Sequence, residues 1–235
     1  MISKVIYSRQ SAFLEGRGLL DSVLLANKVL EEVKRKKKTC VIFKVDYEKD
    51  YDSVMWKFIY YMLTKLDLCE KWIGQVKACL ESVSVSILVN GNSTMEFIPL
   101  KGMRQSDPLA SFLFLIVAEG LADISRSAME KDLVESVEIE SKNIKVNMLQ
   151  YADDTLFFCK ATTKSVFNIK AILNCIELAF GLKVNILKSS ISGVGMDAFR
   201  ICCFAIILNS DVMKTPFKYL GMKVGSVIKR RCFGT

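Results

Sequence analysis

Histidine is absent from this 235-residue chain. That removes Ser-His and Cys-His nucleophiles, imidazole acid–base chemistry and mixed Cys/His zinc fingers. The eight cysteines (Cys40, Cys69, Cys79, Cys159, Cys175, Cys202, Cys203, Cys232) stand at irregular spacings with no CxxC pair. Free thiols in a reducing compartment are therefore expected, rather than a zinc site. There are only 3 prolines, and the 12 glycines are scattered, so no Pro/Gly/Ser-rich linker, repeat or low-complexity tract divides the chain. Long apolar runs are also missing. Residues 112–118 and 201–208 form the longest, well short of the roughly 20 residues that cross a bilayer, and each reads as part of a buried helix. Met1-Ile2-Ser3-Lys4 opens no apolar core of signal-peptide length.

What is present suits a folded, basic chain. Hydrophobic residues make up 51% and charged residues 25%, enough for one large core or two interleaved subdomains. The formal charge of +8 favours a polyanionic partner. Lys34-Arg35-Lys36-Lys37-Lys38 is the densest basic run and reads as the solvated end of a helix.

Apolar spacing predicts a helix over 19–38, with Asp21 near its start, and a short β-branched strand over 40–45 that ends at Asp46. Ser53 is expected to cap a helix to about 66, followed by a helix over 70–80. Residues 83–89 and 94–100 alternate around Asn90-Gly91-Asn92, a strong hairpin signal. Asp107-Pro108 opens a helix to about 130. Residues 147–151 and 155–158 read as strands around Ala152-Asp153-Asp154. A helix over 163–179 stops at Gly181. Short strands are expected over 184–187 and 191–194, then a helix near 197–207. Strands and helices mix without a βαβ rhythm, which predicts an α+β fold.

Chemistry must then rest on carboxylates. Asp153 and Asp154 occupy a turn between apolar strands, and two acids this close repel unless a cation or proton intervenes. Asp-Asp in a turn is ordinary turn chemistry taken alone. Asp46 changes the reading, because it too ends an apolar strand. If the two strands are neighbours, three carboxylates meet at one sheet edge. Such hard oxygen ligands suit Mg²⁺ and two-metal phosphoryl transfer, which needs no histidine.

The motifs carry a family resemblance. Phe43-Lys44-Val45-Asp46-Tyr47-Glu48-Lys49-Asp50-Tyr51-Asp52-Ser53-Val54 resembles the first catalytic block of plant LINE-type (non-LTR) reverse transcriptases. Arg104-Gln105-Ser106-Asp107-Pro108-Leu109 resembles their RQGDPL block, and Leu149-Gln150-Tyr151-Ala152-Asp153-Asp154-Thr155 their second catalytic block. Gly181-Leu182-Lys183-Val184-Asn185 with Lys188-Ser189 is similar to the next block. Phe217-Lys218-Tyr219-Leu220-Gly221 resembles the primer grip, and Gln10-Ser11-Ala12-Phe13 with Arg17 a fingers motif. The blocks follow family order over nearly the whole chain.

The resemblance implies a right-hand polymerase fingers–palm fold with an antiparallel palm sheet backed by helices. It implies partial fingers over 1–40, mainly palm over 41–215 with a fingers-like hairpin insertion at 83–106, and a primer grip with the start of a missing thumb over 216–235. Asp46, Asp153 and Asp154 would form the catalytic triad and hold two Mg²⁺ ions, or Mn²⁺. Tyr51 would underlie the nucleotide sugar, and Arg104 and Gln105 would line the nucleotide pocket and template path. Lys188 would approach the leaving pyrophosphate as its general acid, and Tyr219, Leu220 and Gly221 would hold the primer end. The implied partners are an RNA template, a DNA primer and deoxynucleotides, with no membrane; the implied location is intracellular, in the nucleus.

The chain departs from the family pattern at Asp50, where Ala is usual, at Ser106, where Gly is usual, and at Ala110-Ser111, where Ser-Pro is frequent. By the resemblance it is expected to begin late in the fingers and to lack a full thumb, as a truncated copy would. Two alternatives stay open: a catalytically dead nucleic-acid-binding remnant, and a relative of the group II intron maturases.

Overall fold

The computed structural model describes residues 6, 10–14, 16–105, 107–139 and 144–226. In chain order the elements are α1 (Leu19–Arg35), β1 (Cys40–Val45), α2 (Asp50–Ser53), α3 (Trp56–Lys65), α4 (Glu70–Glu81), β2 (Leu88–Val89), β3 (Asn92–Ser93) and α5 (Pro108–Glu130). There follow β4 (Val137–Ile139), β5 (Ile144–Val146), β6 (Met148–Tyr151), β7 (Asp154–Lys160), α6 (Thr163–Phe180), β8 (Ser190–Val194), α7 (Ala198–Leu208), β9 (Asp211–Val212), β10 (Phe217–Tyr219) and β11 (Met222–Val224).

The fold is α+β. Its centre is a five-stranded sheet in the order β6-β7-β1-β8-β9, antiparallel except for the β8–β9 pair. β1 lies in the middle because five of its six residues are buried and neither face tolerates water. Its odd-numbered side chains, Val41, Phe43 and Val45, join Phe157 in a core with α3, α5 and α6. Its even-numbered partners, Cys40 and Ile42, join Leu156 and Phe158 under α1 and the β4–β5 and β10–β11 hairpins. Strand alternation thus feeds two cores from one sheet.

α5 carries the larger core. The Asp107 carboxylate accepts the Leu109 N–H at 2.8 Å, and Pro108 occupies the first turn. The helix is long and apolar enough to cross a membrane by length and composition, yet 67% of its most apolar window is buried within the fold. α6 is capped by Thr162 and ends on Gly181 at φ +82. An added Cβ there would meet the Ser53 carbonyl oxygen at 2.2 Å, so that position needs glycine for space as well as conformation.

Several expectations fail for identifiable reasons. Ser53 does not cap the following helix. Its hydroxyl donates to the Glu48 carbonyl, it ends α2, and α3 starts from Met55. α1 stops at Arg35, and Lys37 turns left-handed at φ +51. The 83–100 hairpin keeps its turn but only a two-residue ladder and a Val85–Phe97 bridge, because its strands stay exposed and no second layer among the described residues covers them. Residues 184–187 form no strand: Val184 makes one bridge to Tyr47. α7 buries Phe204, Ala205 and Leu208 but exposes Phe199 and Ile206, so the 201–208 run is half-exposed. Leu220 and Gly221 form the left-handed turn between β10 and β11. Ser106 and Cys232 lie outside the described residues.

Candidate active site

The sheet brings the distant acids to one end. β1 and β7 run antiparallel in a register that ends at Val45↔Thr155. One step further along both strands sets Asp46 beside Asp154. β6 and β7 close at Tyr151↔Asp154, so Ala152 and Asp153 form the turn, with Ala152 left-handed at φ +52.

Each side of this end is held by a segment remote in sequence. The Asp46 N–H donates to the Ser189 hydroxyl at 3.1 Å, and its carbonyl accepts the Asn185 N–H at 2.8 Å. Glu48 N–H donates to the Lys183 carbonyl at 2.8 Å, and the two side chains form an ion pair at 3.2 Å. The 183–189 block therefore wraps the end of β1. Across the turn, the Ala152 N–H donates to the Gln10 side-chain oxygen at 3.2 Å. Tyr219 is fully buried, with its hydroxyl 3.5 Å from the Asp154 carbonyl. Its phenol is pushed up by burial and by Asp154 and Asp153.

The carboxylates feel one another. Burial and the charge of Asp46 push Asp153 up, while burial, Asp153 and Asp46 push Asp154 up against the opposing pull of Lys44. Asp50 belongs to the same field, raised by burial first, then by Asp153 and Asp46. The departure at Asp50 thus adds a fourth acid to the site. Among the described residues, no three acid side chains stand close enough to share one ion. The donors are nonetheless hard oxygens on one ordered sheet end, and they fit a divalent cation by chemistry.

The remaining predicted residues are spread around this edge. Tyr51 stacks on Phe114 of α5 with ring centroids 4.9 Å apart. Burial raises its phenol, with smaller contributions from Asp153 and Asp50, while the nearby Ser111 hydroxyl lowers it. Ser111, at a position where the pattern departs from the family, is thus a neighbour of Tyr51. Met103 N–H donates to the Tyr51 carbonyl at 2.8 Å, which ties the Arg104–Gln105 loop to the same element. Arg104, Gln105 and Lys188 are exposed.

The apolar clefts of about 1040 Å³ and about 550 Å³ beside α3 and the 83–100 hairpin are not lined by Asp46, Asp153 or Asp154. Sequence reasoning missed Ser189 and Lys44 as neighbours of the acids. Lys44 carried a signal, being the one charged residue in an apolar strand. Ser189 stood in the block with Lys188, but nothing in that block said that its hydroxyl meets the Asp46 N–H.

The reverse transcriptase family, described as reverse transcriptase (RNA-dependent DNA polymerase), matches residues 1–224. Its members generally use divalent metal ions. The chain is 26% identical over 233 residues to the Retrovirus-related Pol polyprotein from type-2 retrotransposable element R2DM of Drosophila melanogaster, covering 95% of this chain and 21% of that one. It is 22% identical over 193 residues to the Transposon TX1 uncharacterized 149 kDa protein of Xenopus laevis, covering 81% and 14%. The chain therefore spans about a fifth or less of these curated relatives. Among solved structures it resembles Candida albicans telomerase in complex with a TWJ fragment of telomeric RNA, with a TM-score of 0.63, 12% identity and coverage of 93% and 33%. It also resembles apo telomerase from Candida tropicalis truncated from the C-terminal domain, with a TM-score of 0.57, 14% identity and coverage of 80% and 37%. These likenesses give the fold, a polymerase fingers–palm.

Proposed function

The chain belongs to the reverse transcriptase family of RNA-dependent DNA polymerases, and from that premise we propose that it is the polymerase core of a non-LTR retroelement, adding deoxynucleotides to a primer 3′-end on an RNA template. The observation that carries this reading is the register that sets Asp46 beside the Asp153–Asp154 turn from opposite halves of the chain.

In this reading Asp46 and Asp153 hold two Mg²⁺ ions, replaceable by Mn²⁺, with Asp154 beside them. Bound there, such ions lower the pKa of the primer hydroxyl and neutralise charge on the phosphates. The protein's own groups do the rest. Tyr51, stacked on Phe114, presents its ring under the nucleotide sugar. Arg104 and Gln105 line the path of nucleotide and template from the loop before α5. Lys188 donates a proton to the leaving pyrophosphate. The Tyr219-Leu220-Gly221 hairpin supports the primer end, while 1–40 and 83–106 act as fingers over a palm of 41–215. Work on a nicked chromosomal primer would place the protein in the nucleus.

The test is nucleotide incorporation on a primed RNA template with Mg²⁺, with Asp153→Asn as the blank. Incorporation that disappears in the variant is expected. A folded wild-type chain that binds RNA in a salt-sensitive way but incorporates nothing would instead favour the non-catalytic remnant, with Asp50 the first substitution to revert.

A further inference from the structure

The turn that carries Asp153 is locally unfavourable. Ala152 sits at φ +52, the positive φ that a two-residue hairpin turn asks of its first residue. Glycine or asparagine supplies it at least strain, whereas an alanine there carries its Cβ into an unfavourable conformation, so support from outside stabilises the turn. What touches it is a segment more than a hundred residues upstream.

Gln10 is 1% exposed and lies beside β6 through a parallel bridge to Gln150. Ser11 N–H donates to the Gln150 carbonyl at 3.1 Å, so residues 10–11 act as an extra edge to the sheet. The Gln10 side-chain oxygen accepts two N–H groups, from Ala12 at 3.0 Å and from Ala152 at 3.2 Å. Its backbone carbonyl accepts from Arg17 at 2.9 Å, and the Ser22 hydroxyl donates to Ser11 at 2.9 Å, which roots the segment in α1. Ala12 and Ala152 are buried in one small apolar cluster with Ile6, Leu14 and Leu115. At this bridge the Gln10 side-chain nitrogen and the Gln150 side-chain oxygen are buried without hydrogen-bond partners, so the oxygen carries all of the Gln10 amide's contacts.

We infer that Gln10 is a positioning residue for the metal-bearing turn: its amide oxygen clamps the Ala152 N–H, holds that residue left-handed, and so sets where the Asp153 carboxylate points. The clamp makes the upstream segment part of the active site. Without the oxygen, a buried Ala152 N–H is left unpaired and the left-handed turn loses its support. The catalytic consequence rests on the polymerase reading, but the clamp itself does not.

The experiment uses the whole chain and three variants. Gln10→Met keeps size and apolar contact but has no acceptor; Gln10→Asn keeps the amide one methylene too short and replaces it if Gln10→Met does not fold. Ser22→Ala loosens the same segment without touching Ala152. Amide hydrogen exchange is read across 148–156, and nucleotide incorporation is measured with the substrate dependence resolved into kcat and KM. Gln10→Met should speed exchange at Ala152 and Asp153 at least about tenfold over wild type, with β1 and α5 unchanged, and Ser22→Ala should not. In the incorporation assay, kcat should fall about tenfold to a hundredfold with KM for nucleotide and template within about twofold, as displacement of a reacting group predicts. Exchange at 152–153 no faster than in Ser22→Ala, or a loss confined to KM, would overturn the clamp. A wild-type chain without incorporation would sink the polymerase reading alone, and the exchange result would still decide the clamp.

Discussion

Two hairpins of this chain invert what their sequences promise. At 88–93 the turn is favourable: Asn90 and Gly91 are left-handed at φ +50 and +86, as a two-residue hairpin turn requires. Yet only Leu88↔Ser93 and Val89↔Asn92 pair, and Leu88 stays 74% exposed. At 148–160 the turn is unfavourable, with Ala152 left-handed, yet four pairs close it and β7 continues along the whole of β1. Turn chemistry chooses where a chain bends. How far the ladder runs is decided by whether a second layer buries it. The site was built on the hairpin that the fold supports, where a carboxylate's position can be held.

The sharpest way to break this contrast is Asp153→Asn, which should cut incorporation about a thousandfold or more by weakening the divalent-ion site. Asn90→Ala in the other hairpin should leave the rate within about twofold, since nothing there touches the acids. Stability comes next. Phe157→Ala in β7, 2% exposed, should cost about 3–5 kcal/mol. Leu88→Ala should stay within about 0.5 kcal/mol in denaturant melts. Equal losses would mean the outer hairpin is buried in solution.

Two glycines sharpen the same point. Gly181 and Gly91 have similar φ, +82 and +86, but a Cβ at Gly181 meets the Ser53 oxygen at 2.2 Å while one at Gly91 meets nothing within 4 Å. Gly181→Ala should therefore cost about 2–4 kcal/mol and Gly91→Ala about 1 kcal/mol, by equilibrium unfolding.

The smallest effect is the pH slope. Asp50, Asp153 and Asp154 are all raised, chiefly by burial. The folded chain keeps protons that the unfolded chain has released, so their contribution to stability is lost as pH rises from the ordinary carboxylate range through their folded values. Asp123, held low by its Lys65 hydrogen bond, has the opposite sign: its stability is lost as pH falls. In the absence of divalent ions, Asp153→Asn should reduce the loss of stability on going from about pH 4 to about pH 7. Asp50→Ala should reduce it further, and an unchanged slope would mean that these acids are fully solvated.

Much of this molecule was legible beforehand because the signals were local. A short β-branched apolar run marked β1 at its observed bounds, Asp107-Pro108 marked the start of α5, and Gly181 marked the end of α6. Asp46, Asp153 and Asp154 stood out as acids at the ends of apolar strands. The β4–β5 hairpin and β9 were missed, being two or three residues each and stabilised only by what lies against them. The exposed face of α7 was missed because composition reports apolarity and not which side is covered.

By itself the sequence determined the elements with strong periodicity, the absence of any histidine chemistry, and the acids that carry the candidate chemistry. Only the tertiary structure decided that Ser189 and Asn185 hold Asp46, that Gln10 reaches the Ala152 turn, and that Asp50 enters the field of the other acids. The physical reason is range. Periodicity and capping act over a few residues and leave a trace in the sequence. Hydrogen bonds to buried backbone and repulsion between carboxylates act across space, between residues that the order of the chain keeps far apart.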